Sequence, residues 1–354
     1  MEFAGRTVFI PQDFMLADVL DDVEARLRAR GVEVIRGPAS VPGEKTVFPR
    51  ERWDEWFGRA EVAMFSSRSR CTRELMEAAP RLRGIVNPTI GLETVDLDAA
   101  NELAIIVGHG ATPENFLSMA EATVMLMLMM LYQPLATQDV LFGRRPRPKP
   151  NVRDMWARMM LGRTIGLVGL GRIGRGVVER LSGWGVRLLA HDPYVKPQDV
   201  PAGVTMAPLD QVLTQSDVIG LFVSITAETT HLIDERALSL MKPTAYLVNT
   251  SRGQAIDERA LYQALKSRRI AGAALDTFEV EPLPQDSPLR GLDNVFLTPH
   301  MVGHTKEVFA SFGVAAEENI TRVLRGQLPL HCKNPHIEPA WRERLARLDR
   351  AVHA

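Results

Sequence analysis

Short β-branched runs and amphipathic helical spacings alternate along most of this chain. Residues 7–10 (TVFI) read as a strand, and over residues 17–30 Val19, Leu20, Val23 and Leu27 fall on one face at helical spacing. Gly31 stops that helix, and residues 32–35 read as the next strand. Further strands are expected at 61–65 and 82–86, with a helix over 73–79 between them. The strand pattern returns at 164–168, 186–190, 217–224, 245–249, 270–275 and 295–297. Strands alternating with helices build parallel sheets, and such sheets bind ligands at the C-terminal ends of their strands. The pattern therefore predicts an α/β chain built from doubly wound parallel sheets.

One segment breaks the alternation. Thr112, Pro113 and Glu114 make a good helix start, by capping, by a preset φ and by charge. The helix that follows, to about Tyr132, is apolar nearly all round, so burial on all sides is expected, between domains or between subunits. Its methionines read as packing. It is a candidate hinge and dimer element.

Composition narrows the class. At roughly 150 residues per domain, 354 residues suggest two domains, and 45% hydrophobic with 24% charged residues suits a protein with a real core. Lys plus Arg is 42 against 43 Asp plus Glu, a balance that argues against a nucleic-acid binder. The stretch 143–150 (GRRPRPKP) reads as a solvated, proline-stiffened loop. Two cysteines, Cys71 and Cys332, give no disulfide framework and no metal-binding cluster. The N-terminus lacks the pattern of a secretory signal. The most apolar run, residues 124–132, falls short of the ~20 residues needed to span a bilayer. A cytoplasmic protein is expected, with neither membrane nor nucleic acid as partner.

Candidate chemistry begins at the strand 164–168, which runs directly into Gly169, Leu170, Gly171, Arg172, Ile173 and Gly174. A helix is expected from 176 to about 184, then the strand 186–190 ending at His191, Asp192 and Pro193. In this setting Gly169 allows the tight turn, Gly171 lets backbone approach a pyrophosphate, and Gly174 permits close helix–sheet packing. The amides near Arg172 and Ile173 would face the phosphates at the positive end of the helix. Asp192 follows Gly174 by 18 residues, where a carboxylate can accept both adenosine ribose hydroxyls and repel a 2′-phosphate. NAD is expected over NADP, with Arg175, Arg187 and Lys196 as the cations that would suit the latter.

Three later strand ends carry Arg252, the acids Asp276, Glu279 and Glu281, and His300 to one sheet edge. A guanidinium can grip a carboxylate bidentately and polarise the adjacent carbonyl. Histidine, with an ordinary pKa of about 6.5, exchanges protons near neutrality, and a nearby carboxylate would orient its ring and raise that pKa. These roles suit hydride transfer between a nicotinamide and a 2-oxo acid. His304 could share a metal with His300 on a helix, but Thr298-Pro299 makes His300 a loop residue and no third ligand is evident. No metal is expected.

From about residue 161 to 300 the chain resembles the D-isomer-specific 2-hydroxyacid dehydrogenases. The matching segments are GLVGLGRIG, HDP, SDVIGLFVSITAETTHLI, MKPTAYLVNTSRG, AGAALDTFEVEPLP and LTPHMVGHT. Weaker similarity covers residues 82–121, through IGLETVDLDAA and TPENFLSMAE. The resemblance implies Arg252, Glu281 and His300 as the catalytic set. It also implies Val223 and Ser224 along the cofactor, Thr250 beside the nicotinamide, Asp276 near its carboxamide and Gly303 behind His300. Thr89, Ile90 and Gly91 fall in the family's substrate loop. The implied fold is a Rossmann NAD-binding domain (112–304) inserted into a flavodoxin-like catalytic domain (1–111 and 305–354), with homodimerisation through the NAD-binding domain.

The departures concern specificity. Family members often carry a glycine-rich stretch of the kind RAGTGVDNID where this chain has residues 87–96 (NPTIGLETVD). Asn87 stands where phosphoglycerate dehydrogenases commonly place an arginine for a phosphorylated substrate. His109-Gly110-Ala111 replaces the usual Asn-Thr-Pro, and Phe222 and Ser224 stand where His and Pro are common. The expectation is a small unphosphorylated 2-oxo acid or one with an unusual tail. The residues after 335 suggest a short amphipathic helix docking on the catalytic domain. The same resemblance admits other readings: an NAD-sensing scaffold like the C-terminal-binding-protein corepressors, or a phosphoglycerate, phosphonate or formate dehydrogenase.

Overall fold

The computed structural model describes residues 2–41, 44–147, 149 and 156–353. Two compact units form, Met1–Glu114 with Thr305–Ala354, and Asn115–His304. Pro148 and Pro150 of the basic loop lie outside the described residues.

In the first unit five parallel strands, β1 (Thr7–Ile10), β2 (Glu33–Arg36), β3 (Val62–Met64), β4 (Gly84–Asn87) and β5 (Ile106–His109), assemble in the order β2-β1-β3-β4-β5. That is the flavodoxin-like order of doubly wound sheets. The helix Ala17–Ala29 buries Val19, Leu20, Val23 and Leu27, the face read from the sequence. Burying each of these side chains stabilises the unit by roughly 1.5–3 kcal/mol, more than helix propensity alone could supply. The C-terminal segment belongs to the same core. Val308, Phe312, Ile320 and Val323 of the helix Lys306–Leu324 join the Ala17–Ala29 face and β1 in one cluster. The helix Glu338–His353 adds the fully buried Trp341, whose indole donates to the Arg83 carbonyl at 2.7 Å.

The second unit holds seven parallel strands: β6 (Thr164–Val168), β7 (Arg187–His191), β8 (Val204–Met206), β9 (Val218–Leu221), β10 (Tyr246–Asn249), β11 (Gly272–Leu275) and β12 (Val295–Leu297). Their order, β12-β11-β10-β9-β6-β7-β8, reverses direction between β6 and β9, the switch point at which doubly wound sheets bind ligands. The sequence missed β8, an edge strand whose Val204 and Met206 are half-buried and whose Thr205 is exposed, too short at three residues for its alternation to register. It also extended β9 by three residues, so Val223 and Ser224 lie past the strand in the loop.

The helix Pro113–Tyr132 is covered on one side within the single chain. Ala120, Val124, Met127 and Leu131 pack under the second sheet, but Leu117, Met125 and Tyr132 are exposed in the single chain. By length and composition this helix could cross a membrane, which the nine-residue apolar run alone did not suggest, yet half of its apolar window is buried in the protein.

Candidate active site

At the switch point β6 turns into the helix Arg172–Leu181, which starts four residues earlier than its hydrophobic spacing predicts. The glycines explain the shift. Gly169 has φ +95°, and a Cβ there would stand 2.6 Å from the Phe222 carbonyl oxygen. A Cβ on Gly174 would stand 2.6 Å from the Gly169 carbonyl oxygen. Both glycines are thus required by the backbone itself. Gly171 differs: nothing lies within 4 Å of where its Cβ would be. It sits at the N-cap without any side-chain cap, leaving the first helical amides unspent by side chains. Arg172 lies over the Phe116 ring at 4.7 Å, and Ile173 is half-buried. A bare, uncapped helix start beside a glycine with open space fits a pyrophosphate.

Asp192, just past β7, accepts from the Leu170 amide at 2.8 Å through Oδ2 and from the Tyr194 amide at 3.0 Å through Oδ1. These bonds fix its carboxylate against the glycine turn, and a carboxylate has acceptor capacity for two more donors. His191, Asp192, Pro193 and Met206 line a cavity of about 590 Å³ with Val195 and Pro208. Arg175 and Arg187 are turned to other work, donating to the Asp199 carbonyl at 2.7 Å and to Gln215 at 3.0 Å.

The edge formed by β9 to β12 brings together the remaining candidates of this unit. Ser224 is exposed, and its carbonyl accepts from Thr229 at 2.6 Å; Val223 is half-buried. Thr250 meets Thr123 at 2.8 Å. Since the Thr123 hydroxyl donates to the Met119 carbonyl at 2.7 Å, Thr250 is the donor of that pair. A Cβ on Gly303 would collide with the Met119 sulfur at 2.1 Å, and its carbonyl accepts from Ser118 at 2.9 Å.

Arg252 follows β10, its backbone carbonyl held by the Asn249 amide at 2.9 Å and its Nη1 donating to the Ser251 carbonyl at 2.8 Å. Glu281 follows β11 in a turn closed by the Phe278 amide, which donates to Oε1 at 3.0 Å. Its Oε2 lies 2.8 Å from His300 Nδ1. Burial pushes the Glu281 carboxyl up, but His300, the Phe278 amide and Arg252 outweigh it and hold it below the usual carboxylate range. The hydrogen bond to Glu281 raises the His300 pKa above the ordinary histidine value against burial and the Arg252 charge. Bonded in this way, Nδ1 carries the proton and Nε2 is the ring nitrogen left for other partners.

His300 has φ +57°, a backbone that side-chain-bearing residues seldom adopt and that costs about 1–3 kcal/mol. Asp276 holds the loop there. Its Oδ1 accepts from Thr298 Oγ1 at 2.7 Å and from the Met301 and Val302 amides at 2.9 and 3.1 Å. Burial still leaves this carboxyl raised. The sequence marked Asp276 for the cofactor and gave no sign of this second task.

The predicted substrate loop follows β4 in the first unit. Asn87 is fully buried and donates to the Gly91 carbonyl at 2.7 Å while accepting from the Thr89 amide and hydroxyl, both at 3.0 Å. His109 Nδ1 lies 3.2 Å from the Ile90 carbonyl, and the Gly110 amide donates to the Thr89 carbonyl at 2.9 Å. Thr89, Ile90 and Gly91 are half-buried at the C-terminal edge of that sheet.

Known proteins share both sequence and fold. A family profile described as "D-isomer specific 2-hydroxyacid dehydrogenase, NAD binding domain" matches residues 124–302. A glyoxylate reductase of Korarchaeum cryptofilum is 38% identical over 273 residues, 75% of this chain and 80% of that protein. A D-3-phosphoglycerate dehydrogenase of Methanocaldococcus jannaschii is 38% identical over 283 residues, 78% of this chain, which spans about half (52%) of that longer protein. The crystal structure of the TT0316 protein from Thermus thermophilus superposes with a TM-score of 0.78 at 30% identity, covering 92% of this chain and 99% of its own. With the glycine turn at the switch point and the Arg, Glu and His on adjacent strand ends, the chain belongs to the D-isomer-specific 2-hydroxyacid dehydrogenase family.

Proposed function

We propose that this protein is an NAD-dependent oxidoreductase that interconverts a D-2-hydroxy acid and its 2-oxo acid. The observation that carries the reading is the 2.8 Å His300–Glu281 pair, set one strand away from Arg252 on the edge that also holds the bare Gly171 turn. With the cofactor's pyrophosphate at that turn, its nicotinamide would supply or accept the hydride. Arg252 grips the substrate carboxylate and draws charge toward the carbonyl oxygen. In the reducing direction His300 Nε2 donates the proton to that oxygen; in the oxidising direction it removes the hydroxyl proton. Glu281 orients the ring and stabilises its cationic form. Asp276 keeps the strained His300 backbone in place, and Thr250, Val223, Ser224 and Gly303 line the cofactor's path.

Asp192 supports NAD over NADP, since its carboxylate would oppose a 2′-phosphate and the neighbouring Arg175 and Arg187 are engaged elsewhere. Asn87 supports an unphosphorylated 2-oxo acid. Its amide is buried and consumed within the Thr89–Gly91 loop, so Asn87 itself offers neither a charge nor a free donor to a phosphate. Glyoxylate and hydroxypyruvate reduction against 3-phosphoglycerate oxidation tests this. A kcat/KM for 3-phosphoglycerate higher by about tenfold or more would overturn the substrate assignment.

The protein acts in the cytoplasm as a homodimer through the NAD-binding domain. Leu117, Met125 and Tyr132, exposed along one helix, support a second copy covering that face, and both cysteines are free. A monomer in sedimentation at micromolar concentration would contradict the dimer.

A further inference from the structure

We propose that His231 and Glu279 are positioning residues for the reaction, a clamp across three strand-end loops that sets Glu281 and Arg252 relative to each other. The inference rests on the dehydrogenase reading above. His231 lies in the loop after β9, and its Nε2 meets Glu279 Oε1 at 2.8 Å. The same Glu279 oxygen accepts from the amide of Glu258, at the start of the helix Glu258–Lys266, at 3.3 Å. Glu258 returns the contact, accepting from the Glu279 amide through Oε2 at 3.2 Å. One carboxylate thus ties together segments that follow β9, β10 and β11.

The clamp lies next to the reacting groups along the chain on both sides. Glu279 is two residues from Glu281, inside the turn that the Phe278 amide closes on the Glu281 carboxylate. Gly253 follows Arg252, and a Cβ on it would stand 1.8 Å from the Phe278 carbonyl carbon, so the two loops meet backbone to backbone. Gln254 adds a bond to the Glu279 carbonyl at 3.3 Å, and its own carbonyl accepts from the His231 amide at 2.8 Å. His231 itself is held at φ +52°. A shift of Glu279 therefore moves Phe278, and with it both the Glu281 carboxylate and the backbone that carries Arg252.

Two carboxylates, Glu258 and Glu279, share this junction. Burial pushes the Glu258 carboxyl up, the Glu279 amide works against this, and the Glu279 charge adds to it. The imidazole N–H of His231 offsets that repulsion and fixes which way Glu279 points. A contact as exposed as this one contributes little to stability. Position matters far more to catalysis, where an ångström of misplacement can cost about a hundredfold.

The experiment compares His231→Ala and His231→Gln with the parent protein. It follows the titration of the His300 imidazole by NMR in the free protein, the affinity for NADH by fluorescence, the Tm, and kcat/KM on the preferred 2-oxo acid. For His231→Ala we expect the His300 pKa to fall toward the ordinary value and kcat/KM to fall roughly tenfold. NADH affinity should stay within about twofold, and the Tm should barely move. His231→Gln keeps a donor within reach of Glu279 and should recover most of both losses. Glu279→Ala repeats the test should His231→Ala fail to fold. An unchanged His300 titration and kcat/KM, or a lower Tm with an unchanged titration, overturns the inference. His300→Ala, assayed alongside, separates the two claims: if it retains full turnover the dehydrogenase reading falls, and if it is dead while His231→Ala is silent only the clamp falls.

Discussion

Each sheet sends its first strand in chain order into a helix through a short connection, and the two fill that connection in opposite ways. After β1 the turn carries Asp13, which is buried and accepts from Ser66 Oγ at 2.7 Å and from the Met15 amide at 2.9 Å, with Arg68 at 3.6 Å. After β6 it carries Gly171, with no side chain, no cap and open space where a Cβ would be. Polar groups that a protein satisfies internally stabilise it; those it leaves free at a helix start are available to an anion. A doubly wound sheet thus offers a switch point in either unit, and whether it binds a nucleotide depends on whether the turn has already been filled.

The largest expected effect lies on the edge of the second sheet. Arg252→Ala should lower kcat/KM by about 10³-fold or more while NADH binding survives, because in the proposed mechanism the guanidinium acts on the substrate and not on the cofactor. Retention of kcat/KM would remove the chemistry from that edge. Next comes the turn itself. Gly171→Ala should weaken NADH binding by roughly a hundredfold at an unchanged Tm, since its Cβ would stand in open space where the ligand approaches and meet no protein atom within 4 Å. Gly169→Ala should instead destabilise the fold by about 1–2 kcal/mol, as its φ of +95° and the Phe222 carbonyl both oppose a Cβ. If both variants bind and melt alike, the distinction between a ligand-facing and a structural glycine is wrong.

A smaller effect concerns pH. His300 must be protonated to reduce a carbonyl, and Glu281 raises its pKa, so reduction should persist above the ordinary histidine range and fall as pH rises through the raised value. Glu281→Gln should move that fall to lower pH. The same linkage makes the pair's contribution to stability complete below the ordinary histidine pKa and lost as pH rises through the folded value. An unshifted pH–rate profile in Glu281→Gln would contradict the coupling. Least of all should Asp13→Ala touch function: it should cost about 1–3 kcal/mol of stability by stripping buried bonds, with NADH affinity unchanged.

The sequence made the glycine turn legible because a strand, three spaced glycines and a helix form a local pattern. Arg252, Glu281 and His300 were legible as strand-end residues in a recognisable order. What escaped was everything held by contacts between distant loops. Asp276 clamps the loop from Thr298 to Val302 across more than twenty residues, and His231 reaches Glu279 in the same way. Neither contact has a period or a fixed spacing. The left-handed backbone of His300 is likewise invisible, since histidine carries no conformational signal of the kind glycine does. The long apolar helix was found, but not which of its faces the single chain covers, because composition reports hydrophobicity and not contacts.

The central claim is that the His300–Glu281 pair performs proton transfer during hydride exchange with a small 2-oxo acid. Its most direct test is NADH oxidation by the intact protein and by His300→Ala, with glyoxylate, hydroxypyruvate, pyruvate, phenylpyruvate, 2-oxoglutarate and 3-phosphohydroxypyruvate as acceptors. Rapid turnover of an unphosphorylated acid, lowered in the variant by about 10²–10⁴-fold with NADH still bound, is the predicted result. Tight NADH binding without turnover of any acid, or a His300→Ala protein as fast as its parent, would contradict it.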